Sequence, residues 1–147
     1  MNRFKRFALV MAIALIGVTM LFAQGAADAL EAQKDIVVLY TNDVHCAIDS
    51  NIGYAGLAKY KAEMEKDNFV VLVDAGDAIQ GDTIGTVSKG EYLVDIMNEV
   101  GYDFCVLGNH EFDYGTDVLS SLLEKAEAQY LNATITYTGN GKNLLAK

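Results

Sequence analysis

The chain has only two histidines, His45 and His110, and both stand beside carboxylates. Asp43 and His45 lie two residues apart at the expected end of a strand, where an extended backbone points alternate side chains to the same side. A carboxylate oxygen with an imidazole nitrogen suits a zinc-, manganese- or iron-like cation. The pair alone also fits a helix-capping aspartate next to an exposed histidine. Asp77 follows Gly76, and a tight glycine turn would bring its carboxylate close enough to bridge two ions about 3.5–4 Å apart. Asp74 competes for that place, and either aspartate could simply shape the turn. Asn109 and His110 offer an amide oxygen to complete a cation site and an imidazole to face a substrate. Asp113 can orient that imidazole and favour its charged form, ready to protonate a leaving oxygen. The competing reading is a turn in which Asn and Asp satisfy local backbone groups.

These clusters gain weight from the elements expected to position them. Apolar runs at residues 35–41, 69–73 and 103–107 read as short strands of a mostly parallel sheet, buried on both faces. Helical spacing appears at residues 56–67, through Leu57, Tyr60 and Met64. It appears again at residues 90–100, through Leu93, Ile96, Met97 and Val100, with Gly101 as a stop signal. Thr116 reads as the cap of a third helix carrying Leu119, Leu122 and Leu123, and residues 130–136 as a fourth strand. Alternating strands and helices imply an α/β fold with helices on the faces of the sheet. Asp43 and Asp77 are 34 residues apart, and Asp77 and Asn109 are 32 apart. Each polar cluster thus ends one strand-helix unit later than the last, at the edge where such sheets bind ligands.

Upstream, Arg3, Lys5 and Arg6 precede an uncharged run at residues 7–22 and then small residues, the layout of a signal peptide at 1–25. The run is too short for a bilayer core, which needs about 20 residues, so no stable membrane span is expected after cleavage. Residues 26–34 read as a linker. Removing three of the 11 basic residues takes the formal charge from −9 to −12. So acidic a surface repels polymeric nucleic acid but not a small phosphate held by metal. Cys46 and Cys105 are expected as unpaired thiols, with Cys46 a bystander rather than a ligand. No Gly-x-x-x-x-Gly-Lys-Ser/Thr pattern occurs, which removes P-loop kinase and ATPase readings.

The series Thr41-Asn42-Asp43-Val44-His45, then Asp74-Ala75-Gly76-Asp77 with Gly81, then Gly101-Tyr102-Asp103 running into Gly108-Asn109-His110-Glu111-Phe112-Asp113, resembles the calcineurin-like metallophosphoesterases, in particular their exported 5'-nucleotidase branch. The resemblance covers residues 35–135. It implies an α/β sandwich and two divalent ions, zinc, manganese or similar. It places Asp43 and His45 on one ion, Asp77 between the two, Asn109 on the second, and His110 with Asp113 as the catalytic dyad. It also implies a nucleotide or other small phosphoester as substrate, attacked by metal-activated water, and a periplasmic, cell-envelope or extracellular location.

The departure is the lack of later ligands, since no histidine follows His110. In that family further histidines and a separate C-terminal domain complete the site and grip the base. Residues 35–147 are therefore expected to be the N-terminal portion of an incomplete domain, a fragment inactive by itself. Two alternatives stay open. One is a non-catalytic exported metal-binding module; the other is the same metal centre acting on a UDP-sugar, a 2',3'-cyclic nucleotide or a sulfur ester.

Overall fold

Short runs of β-branched and aromatic residues become four strands: β1 (Ile36–Thr41), β2 (Phe69–Asp74), β3 (Phe104–Val106) and β4 (Gln129–Leu131). The computed structural model describes residues 34–136 and 141. The expected signal peptide and residues 26–33 of the expected linker lie outside the described residues. All four strands are parallel and pair in sequence order, as the alternation of strands and helices demands. The connections carry α1 (Gly53–Met64), α2 (Thr83–Ser88), α3 (Glu91–Val100), a 3₁₀ turn (His110–Phe112) and α4 (Thr116–Lys125). No helix among the described residues is long and apolar enough to cross a membrane.

The pairing register puts Leu39, Leu72, Cys105 and Tyr130 on one face of the sheet. That face meets Leu57, Leu93, Met97 and Leu122 from the helices in a single core. The opposite face carries Ile36, Val38, Tyr40, Phe69, Phe104, Val106 and Leu131, which are all exposed. The strands were expected to be buried on both sides. Among the described residues the helices cover one side, so the apolar residues of the other face water.

Local differences from the expected elements have identifiable causes. Helix α1 begins at Gly53 rather than residue 56 and buries Tyr54 and Leu57, while Tyr60 turns outward. The entry is fixed by the Tyr54 N–H donating to the Ile48 carbonyl and by the Tyr54 ring packing on Tyr102. The short α2 is additional to the expected elements, because its β-branched Thr83, Ile84, Thr86 and Val87 give no helical signal. Helix α3 ends as expected at Gly101, whose φ of 77° closes the last turn on Met97. Thr116 is the first helical residue of α4, and Gly115 takes the cap position. Strand β4 stops at Leu131 because the Asn132 side chain accepts from the Thr134 and Ile135 amides, bending the chain into an Asx-type turn.

Candidate metal centre

Beyond the carboxyl ends of β1, β2 and β3 the backbone forms three turns in contact. The first, residues 42–46, lies along the second: the amides of Asp43, His45 and Cys46 donate to the carbonyls of Gly76, Asp77 and Ala78. Asp43 (φ 52°), His45 (49°), Cys46 (59°) and Asp77 (56°) all adopt left-handed backbone. Side chains rarely adopt it, and it clusters where a site has been shaped at the expense of local stability. The extended backbone expected between Asp43 and His45 is thus replaced by a tight turn, which still brings their side chains together. The second and third turns meet at Gly76 and Gly108. A Cβ on Gly76 would lie 2.5 Å from the Gly108 nitrogen, and one on Gly108 would lie 2.3 Å from Asp77 Oδ1. Only glycine allows that approach.

Donor atoms of His45, Asp77 and His110 all lie within 4.8 Å of one another. Asp43 Oδ1 is 3.8 Å from His45 Nε2. Ligands on one zinc- or manganese-like ion sit about 3–4 Å apart at bond lengths of about 2.1 Å, so Asp43 and His45 are spaced as two ligands of one divalent cation. His45 Nδ1 lies 3.0 Å from the Gln80 carbonyl. A carbonyl can only accept, so in the neutral ring Nδ1 carries the proton and Nε2 offers the lone pair that a metal-ligating histidine requires. Asp77 Oδ1 accepts from the His110 backbone amide at 2.7 Å, leaving its second oxygen uncommitted. Asn109 heads the same turn and is exposed to solvent. A cleft of about 380 Å³ opens beside Asp43, lined among others by Tyr40, Asn42, Asn51 and Ile52.

His110 Nδ1 and Asp113 Oδ2 are 2.8 Å apart. This hydrogen bond, reinforced by the negative charges of Asp113, Asp77 and Glu111, raises the His110 pKa above its ordinary value. The His45 and His110 rings meet edge to face, with centroids 5.1 Å apart.

Asp74 lies below the site rather than in it. It is buried, accepts from Thr41 Oγ1 and the Gly76 amide, and burial pushes its pKa up to about 6. Cys46 is fully buried with its Sγ on the Ala78 carbonyl. Burial raises its thiol to about 11, which suits a bystander better than a ligand. Both cysteines are unpaired.

One residue of the site carried no role in the sequence. Glu111 is buried, and its carboxylate accepts from the amides of Asp77 (2.9 Å), Ala78 (2.8 Å), Ile79 (3.4 Å) and Gly108 (2.7 Å). Its place inside the phrase from Gly108 to Asp113 was the only available signal.

Residues 36–143 match the family model of the calcineurin-like phosphoesterases. The chain is 34% identical over 121 residues to the snake venom 5'-nucleotidase of Gloydius brevicauda, covering 72% of this chain and 21% of that protein. The structure of the calcineurin-like phosphoesterase YfkN from Bacillus subtilis superposes with a TM-score of 0.62 at 28% identity, over 71% of this chain and 38% of that one. The Haemophilus influenzae NAD nucleotidase gives the same TM-score and identity over 69% of this chain and 21% of its own. The chain thus spans about a fifth of the length of the full-length nucleotidases it matches.

Proposed function

The chain belongs to the calcineurin-like phosphoesterases, and from that premise we propose that it supplies part of the two-metal centre of an exported 5'-nucleotidase-like hydrolase. The observation that carries this reading is the convergence of His45, Asp77 and His110 donors at one sheet edge from three turns far apart in sequence. Asp43 and His45 would hold one ion, Asn109 the other, and Asp77 both. Bound there, the ions supply a water acidic enough to attack at neutral pH and a positive field for the phosphoryl oxygens. His45 presents Nε2 in a fixed orientation because Gln80 holds the far side of its ring. His110 delivers a proton to the departing ester oxygen, and Asp113 favours the charged form of the imidazole and aims it.

The substrate is a nucleotide or another small phosphoester, in keeping with relatives named as 5'-nucleotidases and an NAD nucleotidase. UDP-sugar, 2',3'-cyclic nucleotide and sulfur-ester substrates would use the same centre. Of the proposed ligands, Asp43 lines the cleft. Export rests on the basic-then-apolar pattern of residues 1–25 and on similarity to a venom protein. The chain spans 21% of the length of the venom 5'-nucleotidase, so its 147 residues are read as binding metal but turning over substrate poorly.

Calorimetric titration with Mn²⁺ tests the reading. The chain should bind the ion, and Asp77→Asn should weaken binding on the order of a hundredfold, at or beyond the upper end of losses seen for outer-shell partners. Equal affinity in the two proteins would remove Asp77 from the centre. Full phosphatase turnover by the chain would defeat the expectation of poor turnover.

A further inference from the structure

We infer that Glu111 is a positioning residue that pre-forms the metal centre by locking the Asp77 turn to the Gly108–His110 turn. This inference rests on the metal reading above but concerns a side chain that touches neither ion nor substrate in it. Three successive backbone amides, those of Asp77, Ala78 and Ile79, point at one carboxylate. Such a row of N–H groups around a left-handed residue is an anion-binding concavity, and here the protein fills it with its own side chain. The same carboxylate takes the Gly108 amide from the neighbouring turn, so one group closes both turns at once. Glu111 is only 2% exposed, and at that depth charge-assisted hydrogen bonds are stronger than at the surface.

The consequence for the site is geometric. Asp77 sits at φ 56°, a conformation other contacts must hold in place. Its own amide is fixed by Glu111 Oε2, the oxygen that also takes the Gly108 amide. Two residues further on, the His110 amide donates to Asp77 Oδ1. Glu111 therefore sets both where the bridging carboxylate stands and how it faces the histidine turn, before any ion arrives.

Both carboxylate oxygens act as acceptors, and this makes Glu111→Gln informative: it keeps the size but puts an NH₂ donor against at least one pair of backbone donors. The test is amide hydrogen exchange by NMR on the chain, together with Mn²⁺ titration. In Glu111→Gln the amides of Asp77, Ala78 and Gly108 should exchange about tenfold faster relative to strand amides such as those of Leu72 and Cys105. Mn²⁺ affinity should fall about tenfold or more. Acceleration shared equally by strand and turn amides would mean a structural role only and overturn the proposal. Loosened turns with unchanged Mn²⁺ affinity would overturn it as well. If Glu111→Gln does not fold, Glu111→Asp, which keeps two acceptor oxygens on a shorter arm, is read by the same criteria. Failure of the wild-type chain to bind Mn²⁺ would count against the metal reading itself, and the amide comparison would still decide whether Glu111 locks the turns.

Discussion

The turn after β1 and the pair of turns after β2 and β3 hold their candidate ligands in different ways. Residues 42–46 rest against the Gly76–Ala78 backbone through three main-chain hydrogen bonds, and the Asp43 side chain stays more than half exposed. The turns bearing Asp77 and His110 are joined by glycine-to-glycine contact and by the buried Glu111 carboxylate. The first arrangement is held by main-chain bonds alone and leaves Asp43 exposed; the second is also tied by a buried side chain. The carboxylate proposed to bridge two ions, that of Asp77, stands on the side closed by Glu111.

Filling the contact between the tied turns should have the largest effect. Gly108→Ala would drive a Cβ into Asp77 Oδ1, Cγ and nitrogen, so a loss of about 1–3 kcal/mol in stability is expected, with loss of Mn²⁺ binding. Urea denaturation of the variant checks it, and wild-type stability would mean that the turns are not preset. On the exposed side, Asp43→Asn removes one exposed oxygen and should weaken Mn²⁺ much less than Asp77→Asn. Equal losses in the same titration would erase the distinction.

The smallest effect is expected at Asp113. With Asp113→Asn, His110 loses the partner that raises its pKa, so it should release its proton at lower pH than in the wild type. An NMR titration of the His110 ring protons reads this directly, and an unchanged midpoint would separate Asp113 from the histidine. The sign for stability follows: the raised pKa adds stability that is fully present below the ordinary histidine value and lost as pH rises through the folded-state value. Wild type and variant should therefore differ in acid and converge at alkaline pH. Solvent exposure keeps the difference small.

The strand positions, the parallel order and the candidate turns were legible because apolar runs and polar clusters recur at one strand-helix interval. The resemblance carried by Gly108 to Asp113 added the expected division of ligands between two ions. What could not be read was tertiary. The left-handed turn at Asp43–His45 depends on backbone bonds to residues more than 30 positions away. That Asp74 is buried on Thr41 and the Gly76 amide while Asp77 is less buried is likewise a tertiary fact. Glu111 looks like any acidic surface residue until the amides that converge on it are placed. Tyr60 fitted the helical stripe, yet the entry of α1 was set by Tyr54 packing on Tyr102. An apolar face left uncovered among the described residues cannot be foreseen from strands that read as buried on both sides.

Anomalous diffraction from crystals of the chain grown with Mn²⁺ tests the convergence of the three turns most directly. The expected result is ion density within bonding distance of Asp77, with His45 and Asp43 on one side and the Asn109–His110 turn on the other. Density elsewhere, or none at saturating Mn²⁺, would contradict the assignment.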